Sequence, residues 1–388
     1  MAKGRGKRGF WVYKRQSLAL FVLFSFCGYL LFGRPLGLLG PPSGNEPILY
    51  EIPKNATVAF LAKDLHEKGL IAFPTVFRAF IRLTKQEKRI RAGYYYLPPR
   101  NSVVEMAFKL TAGKMATHTV TVPEGKASWE IYGILRRDFP LDSVIFDSLV
   151  RDPAFARSLG IQAEGTEGYL FPDTYILPWR ITERDALRSL VNRFQQVVAE
   201  LPKNSEMVTR YGLNGWVTLA SIVQKEAAVN GEQRLIAGVF YNRLKQGWSL
   251  GADPTTRYVL RKLTGPLTAA DLNVDSRYNT RRYAGLPPGP ICNPGRNALM
   301  AALQPKKTEM MFFVAKDDGS REHYFSASND KHNSFKALAA ANREHRAEEA
   351  DSLSMNSQFL QDKTSINPQG SNALIRSETT HTRIFATP

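Results

Sequence analysis

The chain has 388 residues, 43% hydrophobic and 22% charged, which excludes a wholly disordered polymer and leaves room for more than one domain. Its formal net charge of +17 favours anionic partners such as nucleic acid, lipid headgroups or acidic polymers. Two cysteines, one of them inside an apolar run, exclude a disulfide framework, and six scattered histidines show no zinc-like spacing with them.

Lys3, Arg5, Lys7, Arg8, Lys14 and Arg15 crowd the N-terminal segment, 1–15. Behind them runs SLALFVLFSFCGYLLF, residues 17–32, without a charge and a little short of the roughly 20 apolar residues of a membrane helix. A cleaved signal peptide and a retained anchor compete here. Arg34 and Pro35 follow instead of a small-x-small cleavage site, so the reading is an anchor over 16–34. The basic flank then stays cytoplasmic and everything beyond Arg34 lies outside. A Gly/Pro linker fills 35–47.

Residues 48–115 read as a small α+β module in the order strand, helix, helix, strand, helix. ILYEIP is the first strand, TVAFLAKDLHEKGLI a helix stopped at Gly69, and VFRAFIRLT a second helix. AGYYYLPP is strand-like, and SVVEMAFKLTAGK opens on a capping-box pattern, Ser102 to Glu105, and closes on Gly113.

A larger mixed α+β segment spans 118–348. HTVTVPEG alternates like a strand, and EGYLFPDTYIL is aromatic-rich around a Pro-Asp pair. Helical periodicity dominates from Asp185 to Arg243, and Asp253-Pro254 marks a turn or a helix start. YAGLPPGPICNPG, residues 283–295, reads as a shaped loop on a scaffold. MMFFVAK and REHYFSAS form a β-hairpin about DDG. His323 and His332 read as exposed surface histidines rather than site residues. From Glu349 the composition is polar, and 349–388 reads as a disordered tail. There is no internal repeat, Walker A motif or GxGxxG fingerprint.

WVTLASIVQKEAAVNGEQRLIAGVFYNRL has helical spacing throughout. At about 100° per residue, Glu226 falls at the angle of Leu219, between Ile222 and Val223, while Gln224 and Lys225 point elsewhere. A carboxylate on an apolar stripe is either paired with a cation in the core, misplaced by a miscounted helix end, or functional. A desolvated Glu has a raised pKa and can hold a proton for a leaving oxygen. Glycoside cleavage commonly uses two carboxylates. Asp173 and Asp253 are candidates for the second, although both sit where turn or cap roles explain them. Without a second carboxylate, the substrate can supply its own nucleophile.

LASIVQKEAA, AGVFYNRL, LGADPTTRY, YNT and GLPPGPICNPG, with EGYLFPDTY and VPEG ahead of them, resemble the membrane-anchored endolytic murein transglycosylases over roughly residues 48–345. The resemblance implies that 48–115 is a LysM-like subdomain that contributes to glycan binding, and that 118–348 is the catalytic domain. The family's catalytic glutamate, the second acid of an E-K-E motif, maps onto Glu226. Such enzymes cut the MurNAc–GlcNAc bond inside nascent peptidoglycan strands without water and leave a 1,6-anhydro-MurNAc end, which implies termination of strand elongation. One carboxyl serves both proton transfers. The implied location is a single-pass inner-membrane protein with a cytoplasmic N-terminus and a periplasmic catalytic domain. The implied partners are glycan strands, the membrane and synthases of the elongation machinery; no nucleic acid, metal or organic cofactor is implied.

Gln224 stands where the family has the first acid, and Arg281 follows YNT where the family often has an aromatic residue. The substrate-binding candidates are Tyr169, Phe171 and Tyr175, which either stack on sugars or belong to the core. Asn279 either bonds an N-acetyl or hydroxyl group or holds a turn. Asp253 orients Glu226 or a sugar hydroxyl; Arg257 pairs with Asp253, with substrate carboxylates or with water. Asp173 completes the set, and Gly285 to Gly289 shape one wall. The rival from another class is a non-enzymatic, membrane-anchored peptidoglycan-binding protein.

Overall fold

The computed structural model describes residues 17, 20–29, 31–32, 46–99, 101–202 and 205–365. The expected basic segment, 1–15, and almost all of the linker lie outside them. The described residues between 17 and 32 are helical, and Leu20, Phe21, Phe24 and Phe26 turn their apolar side chains outward. Among the described residues no helix is long and apolar enough to cross a membrane.

The first module follows the expected order. Strand β1 (Ile48–Ile52) is followed by helices α1 (Val58–Glu67) and α2 (Pro74–Leu83), strand β2 (Gly93–Leu97) and helix α3 (Val103–Thr111). β1 and β2 pair antiparallel, with Ile48 opposite Leu97 and Ile52 opposite Gly93. Tyr50, Tyr95, Leu61, Leu65, Phe77, Ile81, Met106 and Leu110 form a core of their own. Ser102 and Glu105 close the expected capping box at the start of α3, which satisfies two backbone donors that a helix start otherwise leaves free.

The larger part begins with strand β3 (Thr117–Thr121) and helices α4 (Ser128–Leu135), α5 (Ser143–Val150) and α6 (Pro153–Ser158). Strand β4 (Thr174–Pro178) returns antiparallel to β3 and turns the second half of EGYLFPDTYIL into a sheet element. Helices α7 (Glu183–Ala199), α8 (Glu206–Glu226), α9 (Gln233–Lys245), α10 (Asp253–Leu260), α11 (Ala269–Leu272) and α12 (Arg296–Leu303) follow. The hairpin comes next, as β5 (Phe312–Ala315) and β6 (His323–Ser326), and then α13 (Asn329–Ser365). The described residues form a mixed α+β fold with three separate two-stranded antiparallel sheets.

Helix α8 is the axis of the second core. Every residue from Gly215 to Val223 is buried, because the helix is wrapped on all sides, and α12 is the neighbour it packs against most. Its two buried hydroxyls are paired within the helix, Thr218 to the Asn214 carbonyl at 2.7 Å and Ser221 to the Thr218 carbonyl at 2.7 Å.

Two expectations need correction. The continuous helix expected through Glu226 into Gln233 breaks at Ala227, which is extended, so Glu226 is the last helical residue. The segment 349–365 is helical rather than disordered, since α13 runs on to Ser365. No Gly or Pro occurs from Asn329 to Ser365, and Ala, Glu, Arg and Gln sustain the helix; Pro368 is the first breaker. Residues 366–388 lie outside the described residues.

Candidate active site

Three loops clasp the C-terminal half of α8 and thereby place Glu226. The Ser221 hydroxyl accepts from the Ile291 amide at 3.0 Å, and the Cys292 thiol reaches the Ser221 carbonyl at 3.3 Å. Asn293 ties the loops together: its Oδ1 accepts from the Leu170 amide at 2.7 Å, and its Nδ2 donates to the Lys126 carbonyl at 2.9 Å and to Glu167 Oε1 at 2.9 Å. Gln224 Oε1 accepts from the Gly295 amide at 2.9 Å. An amide oxygen suffices as the acceptor, so Gln224 holds this clamp without a carboxylate. Lys225 is exposed and donates to the Gly125 carbonyl at 3.3 Å.

Glu226 is half-buried at the end of α8, and its carboxyl makes no hydrogen bond to any described residue. Burial, reinforced by the negative charge of Asp253, pushes its carboxyl up to about 7; Arg243 and Arg281 pull it back down. Arg243 rises from α9 and is anchored by backbone oxygens, Nε to Met311 at 2.8 Å and Nη1 to Leu250 at 2.5 Å. Asp253 opens α10 and is gripped by Arg281, with Nε to Oδ1 at 2.6 Å and a second contact from Nη2. A protonatable carboxyl, a fixed anion and two guanidiniums therefore share one site. They can hold a proton before transfer and stabilise the carboxylate after it.

Of the candidates, this arrangement unites Glu226 with Asp253 only. Asp173 sits on another face, held by Arg193 Nε at 2.6 Å and by the Thr174 amide at 2.7 Å, and its carboxyl lies below the ordinary range. Tyr169 is fully buried, with its ring edge on Phe194 and its hydroxyl 3.1 Å from Asn214 Oδ1. Phe171 and Tyr175 are core residues too, so none of the three offers a face to a sugar. Asn279 is buried and spent on a turn: Nδ2 donates to Leu272 and Val274, and Oδ1 accepts from Thr256 and from the Arg281 amide. Arg257 binds the Lys262 and Gly265 carbonyls instead of Asp253. His323 and His332 are not exposed. His323 donates its amide to Glu232 and contacts the same carboxylate through Nδ1 at 2.7 Å, while His332 stacks on Phe312.

Sequence reading missed Arg243, Arg281 as the partner of Asp253, and a second desolvated acid, Glu167. Burial drives Glu167 up to about 7 against hydrogen bonds from Ser128, Asn293 and Gly168. The only hint was its place in EGYLFP, a carboxylate beside Gly168 and an apolar run. Of the stretch Gly285 to Gly289 expected to shape a wall, only Pro288 and Gly289, with the following Pro290, line a cavity, one of about 440 Å³ beside Glu167.

The charge of Asp253 is expected to show in the pH dependence of catalysis. Asp253→Asn removes the anion that raises Glu226 and leaves Arg281 unpaired beside it, so the alkaline limb of kcat/KM moves to lower pH. Arg281→Gln does the reverse, by removing a cation and freeing Asp253. Each shift should be about 0.5–1 pH unit. Profiles for both variants check this; equal shifts in one direction would contradict the placement of the charges.

A sequence profile of the YceG-like family matches residues 50–337. A Bacillus subtilis (strain 168) protein named endolytic murein transglycosylase is 29% identical over 333 residues, 78% of this chain and 92% of that protein. A protein of the same name from Streptococcus pneumoniae R6 is 29% identical over 352 residues, and the match spans 62% of its greater length. The crystal structure of a yceG-like protein from Listeria monocytogenes superposes with a TM-score of 0.51 at 29% identity, covering 75% of this chain and 99% of that one. With the profile spanning nearly all of both cores, the chain belongs to the YceG-like family.

Proposed function

We propose that this protein is an endolytic peptidoglycan lytic transglycosylase in which Glu226 is the acid and then the base. The observation that carries this reading is the Glu226 carboxyl, half-buried, without a hydrogen bond among the described residues and within reach of the Asp253 charge, at the end of the helix whose 215–223 stretch is buried on every side. A protonated Glu226 donates to the oxygen linking MurNAc C1 to GlcNAc, and the C1–O bond breaks. The C6 hydroxyl of the same MurNAc then attacks C1, and its proton passes to the Glu226 carboxylate as the C1–O6 bond forms. The acid is regenerated and no water is consumed. Asp253 favours the proton-loaded state, and Arg243 and Arg281 stabilise the carboxylate between the two transfers.

The names of the B. subtilis and S. pneumoniae relatives support the same chemistry. We further assign 16–34 as a single-pass inner-membrane anchor with residues 1–15 cytoplasmic, a role supported by the outward-facing Leu20, Phe21, Phe24 and Phe26. Residues 48–115, with their own core, are assigned as the LysM-like glycan-binding subdomain, and 118–348 as the periplasmic catalytic domain that terminates strands beside the elongation synthases. The test is digestion of nascent, uncrosslinked glycan by the full-length protein in oxygen-18 water, with mass analysis of the new ends. Unlabelled 1,6-anhydro ends are expected. Labelled reducing ends would make the enzyme a hydrolase, and intact glycan would leave a binding protein.

A further inference from the structure

The cavity beside Glu167 lies apart from the proton-transfer residues: Glu226, Asp253, Arg243 and Arg281 are not among its lining. At about 440 Å³ it has the size of a small-molecule site. Three aromatic rings run along it. Trp129 and Tyr258 have centroids 5.0 Å apart, and Tyr258 and Tyr278 are 5.3 Å apart. All three rings remain partly open to solvent, unlike the buried Tyr169 and Phe171.

Glu167 is inside, oriented by the Ser128 hydroxyl at 2.8 Å, the Asn293 amide at 2.9 Å and, more distantly, the Tyr258 hydroxyl at 3.4 Å. Two exposed arginines and one exposed carboxylate, Glu164, stand among the lining residues. Arg261 lies 4.9 Å from the Trp129 ring centroid, and Arg151 is held by Asp147 at 3.0 Å. An acid within, and two guanidiniums against one carboxylate at the surface, suit a ligand whose inner part is neutral and rich in hydroxyl and amide hydrogens, and whose outer part carries carboxylates.

Helix α10 connects this cavity to the acid. Asp253 begins the helix beside Glu226, and Tyr258 lies five residues on, about 7.5 Å along the axis at 1.5 Å per residue. The cavity also touches Asn214, twelve residues before Glu226 on α8 and about 18 Å along its axis, so a glycan strand that reaches Glu226 fills the cavity only by running several sugars further.

We propose that this cavity is a second binding subsite, which holds one N-acetylhexosamine ring against Trp129, Tyr258 and Tyr278 and the acidic peptide of that muramyl unit against Arg151 and Arg261. The assignment rests on the proposed action on peptidoglycan. It makes peptide-bearing strands the preferred ligand and gives the enzyme a reason to distinguish them from stripped ones.

Binding in the full-length Glu226→Gln background, where the ligand is not consumed, tests it. The two probes are a soluble uncrosslinked glycan oligomer with its stem peptides and the same oligomer after amidase treatment. Arg151→Gln with Arg261→Gln should weaken binding of the peptide-bearing oligomer by about tenfold and leave the stripped one unchanged. Trp129→Ala should weaken both by a similar factor of about ten. Unchanged affinity, or equal loss for both oligomers in the arginine variant, overturns the proposal. Both arginines are exposed, so that arm decides the matter even if Trp129→Ala does not fold. If the unsubstituted enzyme cleaves neither oligomer, the proposed activity fails while the binding comparison still stands.

Discussion

Glu226→Gln is expected to lower glycan cleavage by roughly 10³-fold, the scale of a lost general acid and base, with substrate affinity little changed. Glutamine keeps the shape of the side chain and removes only the transferable proton. The same substitution should not weaken the fold. A carboxyl raised from 4.5 to about 7 contributes stability that is complete below 4.5 and is lost as pH rises through 7. Against its neutral isostere, the native protein therefore loses ground between those values. The Gln variant should be as stable as the native protein at pH 4 and more stable at pH 8, by about 1–2 kcal/mol once partial solvent screening of the half-buried carboxyl is allowed for. Thermal melts at the two pH values, beside the activity assay, check both halves. Cleavage at the native rate would remove Glu226 from the chemistry.

The largest expected loss of stability comes from Gly168→Ala. Gly168 has φ of +89°, a region that L-residues avoid, and a Cβ there would overlap the Pro290 ring and come within 3.1 Å of Val217 Cγ1. EGYLFP, GLPPGP and helix α8 meet at this point, so none of the three can give way without moving the others. A cost of about 3 kcal/mol or more is expected, a fall of roughly 6–12 °C in Tm. Gly247→Ala provides the control. Its φ is +72° but nothing lies within 4 Å of the added Cβ, so it isolates backbone strain of about 1 kcal/mol. Equal melting temperatures for the two variants would show that the three segments are not tightly packed there.

Periodicity made the first module and Glu226 legible, because both depend on local signals. The capping box at Ser102, the glycine stops and the single carboxylate on a buried stripe are all written within a few residues. What surrounds Glu226 is not local. Arg281 finds Asp253 from 28 residues away, and Arg243 reaches the site from the next helix. Tyr169, Phe171 and Tyr175 carry the composition of a sugar platform, but burial decides between a platform and a core, and burial belongs to the assembled fold. Trp129 and Tyr258, the rings that do stay open, are far apart in sequence and mark no motif together. The helix over 349–365 was hidden by polar composition, which reports solvent preference more directly than backbone conformation.

The ties that Asn293 makes also set an order of events. Its side chain bonds residues 123, 126 and 167 positions earlier, and it reaches them only after most of the chain has been made. Contacts of such long range form late, because loop closure must precede any gain from them. The helix that carries Glu226 is complete in sequence long before its clasp exists. A chain emerging N-terminus first therefore has no finished active site until residues near 295 have emerged, which holds back any wall-cutting activity well after the helix that carries Glu226 has been made.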